Sequence, residues 1–248
     1  MNNLVLIPLG TVSPYPKDDK NCPGFLIKYK NYNILLDCGN GCTRLLKFPD
    51  DLNNLKIFIS HFHPDHYGDL TSLIQATLVY DRHNLINTLI ELYMSEDNSL
   101  DYRLLKSLAE PCPIKINSIT KTIKFDDIEI TTLVVPHQIS CYAFRIDTNV
   151  GSVVYSADTG TNNNLREFAK NSDIFICEST FLKGQYRLED YHLYAYEAAT
   201  IAKDANVSKL LLTHFWPEID KEQYVEEAKE IFSNVSAANE GQKLILRR

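Results

Sequence analysis

The sequence predicts an α/β protein in which helices cover the outer faces of packed sheets. Three observations predict it: short apolar runs bounded by turn residues, helical spacing between them, and recurrence of both in each half of the chain. NLVLIPL (3–9), GFLIKY (24–29) and YNILLD (32–37) read as strands, and GCTRLLKF (41–48) as a short helix. LKIFIS (55–60) is a buried-strand run ending in SHFHPDHYGDL, whose histidines and Pro64 suit a loop, before LTSLIQATL (70–78) resumes helical spacing. Apolar positions 85, 86, 89, 90, 92 and 93, then 100, 104, 105 and 108, predict two helices broken near SEDNS, as a lid or an outer layer.

In the second half ITTLVVPH (130–137), CYAFRI (141–146), SVVYSAD (152–158) and DIFICEST (173–180) read as strands, with DTNVG as a hairpin turn. HLYAYEAATIAKDANVSKLLLTHFWP (192–217) predicts a helix, a turn at Asn206, a buried strand and a loop. A helix over 220–232 and a strand in QKLILR follow. No linker or low-complexity stretch interrupts the pattern, which predicts a single domain over 1–248.

Of the 248 residues, 44% are hydrophobic and 23% charged, too apolar a balance for disorder. The formal charge of −7 disfavours a nucleic-acid partner, whose phosphates reward basic surfaces. MNNLVLIPLG lacks the basic start and long apolar core of a signal peptide, and no run approaches 18 apolar residues. The expectation is a soluble cytoplasmic protein with no membrane segment. Its six cysteines form no C-x-x-C pair. Cys38 and Cys42 lack the further ligands of a tetrahedral site, so the cysteines read as core thiols.

Four predicted strands each run into a candidate metal ligand: KIFIS before His61, TTLVVP before His137, VVYSA before Asp158 and LLLT before His214. His61, His63, Asp65 and His66 fall in one six-residue string. In an extended segment His61 and His63 point the same way, so both can grip one ion, while Asp65 and His66, past Pro64, point elsewhere and can serve a second. Imidazole and carboxylate donors suit two divalent ions, Zn²⁺ first, with Fe or Mn as alternatives. Two ions about 3.5 to 4 Å apart can hold a hydroxide between them and stabilise entering and leaving oxygens, which is hydrolytic chemistry.

With these residues in order, the sequence resembles the metallo-β-lactamase superfamily. LLDCGNG with Asp37 is similar to the first family motif, SHFHPDH to the second, His137 to the third, YSADTG to the fourth and THF with His214 to the fifth. The resemblance implies a four-layer αββα sandwich, two mixed sheets flanked by helices. It also implies that His61, His63 and His137 hold one metal, that Asp65, His66 and His214 hold the other, and that Asp158 bridges them. CESTF and the segment from His192 resemble the ribonuclease Z and phosphodiesterase branch, which implies catalytic roles for His192, Glu178 and Asp65. Only 20 residues separate His137 from Asp158, too few for the arm with which tRNA-cutting members hold their substrate.

The resulting expectation is a phosphodiesterase acting on a small phosphodiester, with a homodimer as the assembly that relatives imply. The alternatives are a ribonuclease Z-like tRNA 3′-end endonuclease, a thioester or lactam hydrolase, and a non-catalytic metal-binding scaffold. Plainer roles stand beside several residues: Asp158 as a helix cap or turn acid, Asp37 as a turn holder or a support for a ligand histidine, His192 as a helix-start residue, and Glu178 as a lysine partner. His83 reads as a turn residue, and Tyr186, Tyr191, Tyr194 and Tyr196 as surface packing or a pocket wall.

Overall fold

In the computed structural model, which describes residues 3–187 and 189–247, the chain divides into two compact units. The first comprises residues 1–119 and 240–245, the second 120–239 and 246–248.

The first unit contains β1 (Asn3–Gly10), β2 (Gly24–Tyr29), β3 (Tyr32–Leu36), β4 (Leu55–Phe58), α1 (Pro64–Tyr67), α2 (Leu70–Arg82), β5 (Ile90–Met94), α3 (Leu100–Ala109) and β6 (Ile114–Ser118). The second contains β7 (Thr122–Phe125), β8 (Ile128–Val135), β9 (Cys141–Thr148), β10 (Gly151–Tyr155), α4 (Asn163–Phe168), β11 (Ile174–Glu178), α5 (Ala195–Asp204), β12 (Lys209–Thr213), α6 (Lys221–Lys229) and β13 (Val235–Ala237). The last strand, β14 (Leu244–Arg247), returns to the first sheet.

Each sheet has seven strands and mixed direction, ordered β14-β1-β2-β3-β4-β5-β6 and β13-β12-β11-β10-β9-β8-β7. Sheets accompanied by helices are what the strand and helix spacing predicts, and two mixed sheets are what the family resemblance implies. The sheets share a plan. An antiparallel meander (β1–β3 or β7–β10) leads into parallel strands (β3–β6 or β10–β13). Consequently β3 and β4 end at one edge of the first sheet, and β8, β10, β11 and β12 end at one edge of the second. In such sheets the carboxyl ends of the strands are where loops collect functional groups.

Alternation decides the buried faces. In the first unit Leu35, Ile57 and Leu92 pack with Leu70, Leu73 and Ile74 of α2 and Leu105 of α3 in one apolar cluster. The central parallel strands β4, β10 and β11 are buried along their whole length, as the unbroken apolar runs predict.

Two sequence expectations need correction, and three short strands have no counterpart among them. Residues 84–110 do not form two helices: Ile90–Met94 is a strand between β4 and β6, and only Leu100–Ala109 is helical. That strand is flanked by parallel neighbours, so it is apolar without alternating, a pattern that periodicity does not separate from a helix. The segment is thus part of the sheet and its covering helix, not a lid. Within SHFHPDHYGDL, residues 64–67 are one helical turn, for which Pro64 at the first position presets φ. The short strands Ile114–Ser118, Thr122–Phe125 and Val235–Ala237 carry signals too brief to read.

The cysteines are free thiols, five buried and Cys112 half-buried. Cys42 Sγ donates to the Cys22 carbonyl at 3.3 Å, and complete burial pushes the thiols of Cys38 and Cys42 well above the ordinary cysteine value, so the pair at 38 and 42 is core packing. Among the described residues no helix is long and apolar enough to cross a membrane.

Glu240 accepts a hydrogen bond from the Asn21 backbone at 2.8 Å, yet burial pushes its carboxyl up to about 7. A carboxyl raised on folding favours the native state most below its unfolded pKa, and that contribution is lost as pH rises through 7. The wild type should therefore lose more thermal stability between pH 5 and 8 than Glu240→Gln does. Parallel melting curves across that range check this, and superimposable pH dependences would refute it.

Candidate metal centre

Two sets of histidines and carboxylates stand at the strand ends, one in each unit. In the first unit Asp37 follows β3 in the left-handed region, φ 56°, and its buried carboxylate gathers the neighbouring loop. Asp37 Oδ1 accepts from the Ser60 backbone at 2.7 Å, and Oδ2 from Ser60 Oγ at 2.8 Å and His66 Nδ1 at 2.7 Å. Because the Ser60 hydroxyl spends its hydrogen on Asp37, it can only accept from His61 Nδ1, 2.9 Å away. His61 and His66 are thereby both held as the tautomer with a bare Nε2.

Those bare nitrogens face other donor atoms. His61 Nε2 lies 3.1 Å from His63 Nδ1, and His66 Nε2 lies 3.6 Å from Asp65 Oδ2. Asp65 is fixed in turn by Ser13 Oγ, which donates to the same oxygen at 2.7 Å. The backbone closes the arrangement, since Cys38 N donates to the His66 carbonyl at 2.8 Å. A Cβ on Gly39 would stand 2.0 Å from the Asp65 carbonyl oxygen, so only glycine permits this approach.

The second unit repeats the device. The buried Glu178 carboxylate, at the end of β11, accepts from the Thr159 backbone at 2.9 Å, the Leu193 backbone at 3.1 Å, His192 Nδ1 at 2.9 Å and Thr180 Oγ1 at 2.8 Å. Thr180 Oγ1, its hydrogen committed to Glu178, accepts from His214 Nδ1 at 2.8 Å. His214 Nε2 is left facing Asp158 Oδ1 at 3.1 Å. His137 Nδ1 donates to the Tyr191 carbonyl at 3.3 Å, and its Nε2 lies 3.8 Å from Asp158 Oδ2. Donor atoms of Asp158, His192 and His214 fall within 4.8 Å of one another.

Each unit thus has one buried carboxylate that orients one imidazole directly and a second through a hydroxyl. Nitrogen lone pairs directed at carboxylate oxygens repel unless a proton or a cation lies between them. Fixing the far nitrogen of a ring is how proteins prepare histidine ligands. The donor set of imidazole nitrogen and carboxylate oxygen therefore fits divalent metal.

Several plainer roles are displaced by these contacts. The cap of α4 is Asn162, so Asp158 is not a helix cap. Helix α5 is capped at Tyr194, so His192 is not a helix-start residue, and Glu178 pairs with histidine instead of lysine. Asp37 both holds a turn and supports His66. His83 is an exposed residue at the end of α2. Tyr194 stacks on Tyr196, and Tyr191 sets its ring edge-on to His137, 6.2 Å between centroids. Burial draws the His192 pKa down, but the charge and hydrogen bond of Glu178, with Asp158 nearby, leave it above the ordinary histidine value. Ser60 and Thr180 escaped the sequence reading, although S-H before the histidine string and E-S-T after a buried strand are their traces.

The model of the Beta-lactamase superfamily domain matches residues 32–215. The chain belongs to the metallo-β-lactamase superfamily. A ribonuclease Z of Clostridium acetobutylicum is 27% identical over 297 aligned positions, covering 91% of this chain and 93% of that protein. The probable metallo-hydrolase YhfI of Bacillus subtilis is 26% identical over 235 positions, covering 94% and 96%. The crystal structure of YhfI superposes with a TM-score of 0.88 at 25% identity, covering 99% of this chain and 100% of that one. The short form of human tRNase Z shares the fold, with a TM-score of 0.76 at 19% identity over 97% and 98% of the two chains.

For this superfamily member the hydroxyls make a sharp test. Ser60→Ala and Thr180→Val should each weaken metal binding by about 10- to 100-fold while leaving the circular dichroism spectrum unchanged. Competition with a chromogenic chelator measures it, and unaltered affinity in both variants would remove the hydroxyls from the account.

Proposed function

We propose that this chain is a binuclear metal-dependent phosphodiesterase acting on a small phosphodiester. In this reading His61, His63 and His137 serve one ion, Asp65, His66 and His214 the other, and Asp158 is shared, so that the two units work as one catalytic domain. When bound, two divalent ions, Zn²⁺ before Fe or Mn, would supply Lewis acidity to activate water and neutralise the phosphate.

The observation that carries the phosphoryl assignment is the His192–Glu178 pair. With Nδ1 committed to Glu178 at 2.9 Å, His192 has one nitrogen left with which to hold a proton for a departing oxygen or to meet a phosphate. Its ring stacks at 21° to that of His214, 5.3 Å between centroids, which sets it beside a ligand histidine. Glu178 is buried and acts through His192 and His214 as a positioning residue. Asp65, held by Ser13, is the carboxylate through which a nucleophilic water would be oriented.

A small substrate is favoured over tRNA by chain economy. Between Val135 and Tyr155 the chain makes only β9, β10 and short turns, β9 and β10 being joined by Asn149 and Val150 alone. The alignment with the ribonuclease Z has more positions than this chain has residues, whereas that with YhfI needs fewer. The formal charge of −7 works in the same direction. A cytoplasmic setting belongs to the same reading.

Metal-loaded protein should hydrolyse bis(p-nitrophenyl) phosphate, Asp158→Ala should abolish turnover, and His192→Ala should lower kcat by about 10²- to 10⁴-fold with metal content retained. Thioester or precursor-tRNA cleavage in place of phosphodiester cleavage, or an unchanged kcat in His192→Ala, would contradict the assignment.

A further inference from the structure

One face of the first sheet is covered by α2 and α3 over its parallel strands, and the apolar surface of that face continues further. Along β1 the residues Val5, Ile7 and Leu9 share one face, and β2 brings Leu26 opposite Ile7 and Lys28 opposite Val5. Leu9 and Leu26 belong to the buried cluster beneath the helices, and Ile7 is packed against it. Val5 and Ile245 of β14 lie outside it. These residues and Leu45 line a cavity of about 380 Å³ within the first unit, a size typical of small-molecule sites.

Lysines 28, 47 and 243 stand around this cavity with a single carboxylate, Asp51. Asp51 is already committed, since it pairs with Lys28 and accepts from the Lys47 backbone at 2.8 Å. The side chains of Lys47 and Lys243 are exposed, and among the described residues no acidic group pairs with either ammonium. A local excess of two positive charges over an apolar floor is conspicuous on a chain of formal charge −7. Surfaces of this kind match a ligand with an apolar body and an anionic end. From Val5 to Leu9 the strand spans about 13 Å, room for an extended chain of medium length.

We propose that this cavity is a binding site for an aliphatic monocarboxylate, its chain along Val5, Ile7 and Ile245 and its carboxylate between Lys47 and Lys243. The site uses none of the residues assigned to the metal centre, so it stands or falls independently of the phosphodiesterase reading.

The experiment is titration of the full-length protein with octanoate, octanol and acetate, followed by calorimetry and by the methyl resonances of isotopically labelled isoleucines. Octanoate should bind saturably at one per chain and shift the Ile7 and Ile245 methyl signals. Octanol and acetate should bind at least about tenfold more weakly. Lys47→Gln/Lys243→Gln, which changes only exposed side chains, should weaken octanoate by about tenfold or more, and His61→Ala should leave its affinity unchanged. Octanol binding as tightly as octanoate, shifts confined to other isoleucines, or an unaltered affinity in the double lysine variant would each overturn the proposal, as would no binding at all.

Discussion

The candidate site depends on two buried carboxylates that never need to touch a substrate. Asp37 and Glu178 sit at the ends of β3 and β11, fully surrounded by protein, where an unpartnered negative charge would be severely destabilising. Each is held by backbone and hydroxyl donors and by an imidazole nitrogen. The cost of burying the charge is offset by hydrogen bonds that also decide which nitrogen of each histidine carries the proton. Stability and ligand preparation are the same set of contacts.

Topology explains why such contacts can be built twice. In each sheet a meander hands over to parallel strands, so successive strand ends fall side by side at one edge. The loops there turn abruptly: Asp37, Ala157 and His214 all adopt left-handed backbone, with φ of 56°, 51° and 63°. Such conformations are uncommon for residues with a Cβ and concentrate at functional loops. Close glycine approaches permit the turns. Gly39 lies against the Asp65 carbonyl, and a Cβ on Gly160 would stand 1.9 Å from the Asp190 carbonyl oxygen, close to the loop that carries His192.

How legible this was differs by residue. The histidine string and the strand-end positions of His137, Asp158 and His214 are visible because the metal ligation proposed for them demands particular residue types at particular strand ends. Asp37 was visible only as one of two roles, and the structure assigns it both. Ser60 and Thr180 were not visible, because a hydroxyl has no distinctive type or spacing and its role depends on where its hydrogen points. The strand Ile90–Met94 was misread for a related reason: burial on both faces erases the alternation that distinguishes strand from helix. The repetition between halves lies in strand order and hydrogen-bond direction, which leave little trace in residue identity.

Hydrogen-bond polarity, in this account, commits specific nitrogens to metal before any metal arrives. The most direct measurement is anomalous diffraction at the zinc edge from crystals of the zinc-loaded protein. Two peaks per chain are predicted, contacted by Nε2 of His61, His66, His137 and His214 and by Nδ1 of His63. A single peak, or ligation through Nδ1 of His61, His66 or His214 with the Asp37 and Glu178 contacts broken, would contradict it.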